Sequence, residues 1–277
     1  MAFAPQIPLG GPAGWRFLLR TEATQKAAFE KGPALARELQ YFADRIGAVD
    51  SAADLVADRR LLKVALGAFG LEGEIDKKAF VRQVLESSGA DPEALANRLT
   101  NKSFQKLAQA FGFGDSAGGS VGQPGFAAKI AAAYKARAFE AAVGETSNDM
   151  RLAMNFRREA AELSAGEKGG SWYAVIGSTP LRSVFEKAYG LPASFGKIDV
   201  DRQRDILRDK TAAMFGTSDL TAFADPANVQ KVIDRFLARA QLDAGPSMTT
   251  RGASALTLLQ GAGSGSAGLY NLMLSRV

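Results

Sequence analysis

The sequence predicts an all-α protein of two homologous multihelical units, arising by internal duplication and packed together, with a short C-terminal tail. Three observations carry this expectation. Apolar residues recur at helical spacing behind capping residues along most of the chain. No segment sustains the period-two alternation of β-branched residues that marks strands. An ordered series of residue matches links the first half of the chain to the second.

The clearest match sets LLKVALGAFGL (61–71) against LRSVFEKAYGL (181–191). Leu61, Val64, Ala68, Gly70 and Leu71 recur as Leu181, Val184, Ala188, Gly190 and Leu191. Positions 61, 64 and 68 step by three and four, so they line one face of a helix that should be buried, as should Phe69 and its counterpart Tyr189. The glycine that follows reads as a left-handed helix cap, where a Cβ is penalised. The next leucine can fold back on the last turn, onto Leu66 or Phe185. The echo continues outward. Gly11, Gly14 and Trp15 face Gly122, Gly125 and Phe126, and Phe42 faces Phe156. Ile75-Asp76 faces Ile198-Asp199, and Gln105-Lys106 with Phe111 faces Gln230-Lys231 with Phe236.

Taken in order, residues 1–13 are rich in Pro and Gly and read as an irregular N-terminal segment. The first unit, 14–112, opens with a helix over 15–30. Pro33 then suits the first position of a helix to about Ile46, where a missing N–H breaks no intrahelical bond. Ser51 caps a segment leading into a helix over 57–69, Asp76 caps the next, Asp91-Pro92 opens another, and Asn101 caps the last. Residues 113–125 form a Gly/Ser-rich linker. The second unit, 126–243, carries helices over 127–142, 147–164, 179–189 (Thr179 cap), 199–214 (Asp199 cap) and 226–242 (Asp225 cap). The tail, 244–277, has no counterpart and holds short apolar segments of helical character, ALTLLQ and LYNLMLSRV.

Composition narrows the chemistry. With 47% hydrophobic residues the chain can fill a sizeable core. The 34 Lys and Arg against 29 Asp and Glu leave a mild +5, and the two signs are interspersed. There is no Cys and no His. Disulfides, thiolate chemistry, Ser-His-Asp catalysis and His-ligated zinc are therefore excluded on this chain. No catalytic, cofactor-binding or metal-ligating residue is assigned, and no cofactor is expected. No apolar run approaches the about 20 residues of a membrane span, and no basic segment followed by an apolar one marks a cleaved signal. The expected location is the cytoplasm.

Candidate motifs resolve to plainer readings. GSGSAG (263–268) matches a dinucleotide fingerprint but lacks the following helix and acidic residue. SFQK (103–106) and SFGK (194–197) match S-x-x-K without its companion elements. In DVDRQRDILRDK (199–210), interleaved acids and arginines one turn apart read as ion pairs rather than a cation site. The partner-binding candidates are the paired arginines Arg59-Arg60 and Arg157-Arg158, together with Tyr270 and Met273 in the apolar tail. The partners expected are other proteins. A nucleic acid held by basic helices is the alternative, although no helix-turn-helix or aromatic-basic motif accompanies the arginines. An enzyme independent of His and Cys ranks behind both.

PLGGPAGWRFLLRTEATQKAAF (8–29), LVADRRLLKVALGAFGL (55–71), NDMRLAMNFRRE (148–159) and GSWYAVIGSTPLRSVFEKAYGLP (170–192) together resemble an alphaproteobacterial family catalogued as domain of unknown function twelve-seventeen. The resemblance covers nearly the whole chain. It implies a context: genes of the family are often found near flagellar genes. It implies no catalytic residues. Flagellar components would then be the protein partners, and export by a flagellar type III route becomes an alternative to cytoplasmic residence. Short terminal segments fit an accessory, assembly or regulatory role better than a filament subunit.

Overall fold

The computed structural model describes residues 3–115, 118–165 and 170–244, and these form thirteen α-helices and no strand. The all-α expectation holds. Helix α1 spans Gly11–Glu30, α2 Pro33–Arg45, α3 Ala52–Ala57, α4 Arg59–Phe69, α5 Lys78–Leu85, α6 Leu95–Arg98 and α7 Lys102–Phe111. Then follow α8 Phe126–Thr146, α9 Asn148–Leu163, α10 Trp172–Gly177, α11 Thr179–Tyr189, α12 Val200–Phe215 and α13 Pro226–Asp243.

Local chemistry sets most of these boundaries. Ser51, Asn101, Asp199 and Asp225 each accept a backbone N–H at a helix start. Gly70 and Gly190 end α4 and α11 with φ of +72° and +66°. In both, the next residue closes the helix: Leu71 N–H donates to the Leu66 carbonyl at 3.0 Å and Leu191 N–H to the Glu186 carbonyl at 2.8 Å. The predicted face is buried: Leu61, Val64 and Ala68 are at most 3% exposed, and Leu181, Val184, Ala188 and Tyr189 at most 5%, while Phe69 is half-buried.

Several boundaries differ from expectation. Helix α1 starts at Gly11, inside the segment read as irregular, because Pro12 takes a first-turn position. The expected 57–69 helix is two helices broken at Asp58, whose carboxylate caps α4 by accepting from Arg60 and Leu61 N–H. Asp76 caps nothing and instead meets Arg59 at 2.7 Å. Ser178, not Thr179, stands before α11 and makes no side-chain cap.

Two apolar cores hold the helices together. The first gathers Phe42, Leu62, Leu66, Val84, Phe111 and the N-terminal half of α8 through Phe126, Ile130 and Tyr134. The second gathers Phe156, Trp172, Phe185, Phe223 and Phe236, with Phe139 and Val143 from the far half of α8. Helix α1 joins the second core: Trp15 and Leu18 are fully buried there, and Trp15 Nε1 donates to Gln230 of α13 at 3.2 Å. The packing units thus cut across the chain segments 14–112 and 126–243. Helix α4 packs on α2, α3 and α8 as α11 packs on α9, α10 and α13. By packing, α13 stands to α11 as α8 stands to α4, whereas the sequence matches set α13 opposite α7.

Candidate functional site

The arginine pairs sit at helix ends and seams, and most of their charge is answered within the chain. Arg59 is exposed and meets Asp76. Arg60 lies 3.8 Å over the Tyr41 ring, donates to the Arg37 carbonyl at 3.3 Å and stands 3.6 Å from Glu38. Tyr41 donates to Asp58 at 2.6 Å. Burial pushes the Asp58 carboxyl up, but this bond and the capped N–H groups outweigh it and hold its pKa low. Arg157 donates to both oxygens of Glu22 at 2.7 Å and lies 5.4 Å from the Trp15 ring, tying α9 to α1.

Arg158 belongs to an interior network. It grips Glu140 of α8 through Nε at 2.8 Å and Nη2 at 3.1 Å, and also meets Glu159. Glu159 accepts from Lys106 of α7 at 3.1 Å and from Arg137 of α8 at 3.3 Å, and Lys106 also meets Glu162. Burial pushes the Glu159 carboxyl up, yet the Arg158, Lys106 and Arg137 charges together hold it below the usual glutamate range. The network joins helices from both cores. The two arginine pairs are not brought together into one patch, and the candidates Tyr270 and Met273 lie outside the described residues.

A cavity of ≈ 350 Å³ adjoins this network, walled by Lys102, Ser103, Lys106, Asn155, Glu159 and Ser178 among others. Lys106 is engaged by Glu159 and Glu162 and makes no hydrogen bond to Ser103 among the described residues. Among the described residues no cluster of three acidic groups could hold a metal ion. In the acid-arginine run of α12, Arg204 meets Asp201 one turn away at 2.9 Å as expected and its neighbour Asp205 at 2.8 Å, while Arg208 makes no ion pair among the described residues.

A second concavity has different chemistry. A groove of ≈ 780 Å³ opens where the end of α1 and the start of α2 meet α4 and α8. Phe3, Phe29, Leu35 and Tyr134 supply apolar surface, and Arg37, Arg60 and Lys63 stand on its wall beside Glu38. Phe3 and Phe29 meet edge to face at 6.2 Å. Burial first, and then the Glu38 charge, raise the Tyr134 pKa, so its hydroxyl stays a protonated donor. One Glu38 carboxylate oxygen is buried with no hydrogen-bond partner among the described residues. Sequence reasoning found only Arg60 of this groove. The other residues come from four separate segments, and no spacing rule joins them.

A family model described as a protein of unknown function (DUF1217) matches residues 68–229, more than half of the chain. The chain belongs to this family. The DUF1217 match runs from the end of α4 into α13 and includes the Glu140–Arg158–Glu159 network and Tyr134, but not Arg37, Arg60 or Lys63. The chain is also similar to a protein from Agrobacterium tumefaciens whose crystal structure is solved. The two share 26% identity and a TM-score of 0.72, over 88% of this chain and 100% of that one. No curated protein matches the chain.

Proposed function

We propose that this protein is a non-enzymatic accessory, assembly or regulatory protein of the bacterial flagellum that acts through protein–protein contacts, its two helical halves descending from one duplicated unit. The observation that carries the contact role is the contrast between the two concavities. In the polar one Lys106, Arg137, Glu159 and Glu162 are already paired to each other, whereas the apolar groove keeps aromatic surface and cations turned outward. The duplication is supported by the repeated order of helix, short helix, helix and left-handed glycine in α2–α4 and α9–α11.

The flagellar part rests on the gene neighbourhoods of the family, and geometry adds only compatibility. The reading places the protein in the cytoplasm, with type III export as the alternative route. Nucleic-acid binding through the arginine pairs is disfavoured, because Arg157 and Arg158 are held by Glu22, Glu140 and Glu159. The test is swimming of a clean deletion strain in soft agar beside a complemented control. Lost motility restored by the gene supports the proposal, and electron microscopy then separates assembly from rotation. Unchanged swimming overturns an essential flagellar role.

A further inference from the structure

We infer that the groove between α1, α2, α4 and α8 receives an acidic amphipathic helix from a partner protein. The inference rests on the contact role proposed above and names its partner chemistry.

The groove has two unlike walls. Phe3, from the segment before α1, and Phe29, near the end of α1, present aromatic surface. Arg37 on α2, with Arg60 and Lys63 on α4, presents cations. Arg60 and Lys63 are one helical turn apart, the Arg60 guanidinium bonds to the Arg37 carbonyl across the α2–α4 seam, and the Arg37 guanidinium turns back to the Pro33 carbonyl at 3.1 Å on the same groove wall. Three cations face one carboxylate, Glu38. Arg37 and Lys63 are exposed and have no acidic partner within ion-pair distance among the described residues. Beside the groove, Lys135 of α8 is matched by Glu30 of α1 at 2.8 Å.

This is the profile of helix-in-groove recognition: an apolar channel that takes a stripe of side chains, with charges that select the flank of the incoming helix. An occupant with apolar residues one turn apart would cover Phe3, Phe29 and Leu35. Carboxylates along its edge would meet Arg37 and Lys63. A hydroxyl or amide donor on it would complete the buried Glu38 oxygen, whose unmet bond is otherwise a cost. The chain's own residues 245–277 do not fit this chemistry, since they carry Arg251 and Arg276 and no Asp or Glu.

The probe is a displayed library of helical peptides with randomised charged positions, selected on the full chain and measured by fluorescence anisotropy. The expected winners are acidic along one edge of an apolar stripe. The doubly reversed variant R37E/K63E should weaken them by roughly tenfold or more and should bind their Glu-to-Lys counterparts better. Both sites are exposed, so circular dichroism should show an unchanged fold. Winners that are neutral or basic, no winners at all, or winners indifferent to R37E/K63E overturn the inference. So does a single-stranded oligonucleotide that displaces the winners and loses affinity in the same variant. Swimming separates this failure from failure of the broader reading. A deletion strain that does not swim, rescued fully by R37E/K63E, sinks the groove and leaves the flagellar role. A deletion strain that swims sinks the role whatever the peptides do.

Discussion

Replacing Gly70 by alanine should destabilise the protein by about 2 kcal/mol, in two parts that the structure separates. The first part is the backbone. Gly70 has φ +72°, where a Cβ costs about 1 kcal/mol. The second part is a neighbour. A Cβ built at Gly70 falls 2.5 Å from Nη1 of Arg137, so the guanidinium must withdraw. That same group bonds to Glu159 at 3.3 Å, and straining this long charged bond adds about 1 kcal/mol. Gly216 supplies the control: its φ is +77° and a Cβ there meets nothing within 4 Å. Gly216→Ala should therefore cost about 1 kcal/mol and Gly70→Ala about twice that. Gly190→Ala, whose Cβ would lie 2.6 Å from Nη1 of Arg239, a guanidinium with no ion pair among the described residues, should come nearer to Gly216→Ala in cost. Urea unfolding followed by circular dichroism measures all three, with unchanged slopes as the condition for comparing midpoints. In an Arg137→Ala background the excess at position 70 should vanish. If Gly70→Ala costs no more than Gly216→Ala, Arg137 yields freely and the steric argument fails. If all three are neutral, the helix-cap argument fails with it.

Three further outcomes follow from the packing. Glu140→Gln removes the carboxylate that grips Arg158, and thermal unfolding should show a loss of about 2 kcal/mol. That is less than the cost of breaking a fully buried pair, because Arg158 keeps 27% exposure and Glu159 as a second partner. Stability should fall with acid. Glu159 and Glu22 are held below their ordinary value of 4.5, so their stabilisation is complete above pH 4.5 and is lost as pH falls through the lower folded values. Glu159→Gln should flatten that acid limb; an unchanged slope would show that Glu159 does not contribute. Trp15→Ala should cost about 3–5 kcal/mol and lower the unfolding midpoint reported by Trp172 fluorescence, because α1 belongs to the second core. A Trp172 transition that ignores this change would contradict the packing of α1.

Much of the helical order was legible because it is local. Ser51, Asn101, Asp199 and Asp225 cap helices within three residues of themselves, and Gly70 and Gly190 end them by a backbone conformation a side chain resists. Two acids were misread: Asp58, inside the expected 57–69 helix, breaks it and caps α4, whereas Asp76 stands one residue too early to precede α5 and meets Arg59. The paired arginines were legible as a feature and not as a function. Arg158 finds its main partner, Glu140, on a neighbouring helix rather than one turn away on its own. The groove was nearly invisible, since Phe3, Phe29, Lys63 and Tyr134 share no spacing.

The sequence by itself determined the all-α class, most helix termini, and the exclusion of thiol and histidine chemistry, because each follows from residue type and near neighbours. Tertiary structure alone decided that α1 packs on α13, that α8 serves two cores, and that all four candidate arginines meet acids while Arg60 also lines an open groove. The physical reason is the range of the forces. Capping bonds act within a turn and are written in the order of residues, whereas burial and ion pairing choose partners by proximity in space, which chain order does not encode.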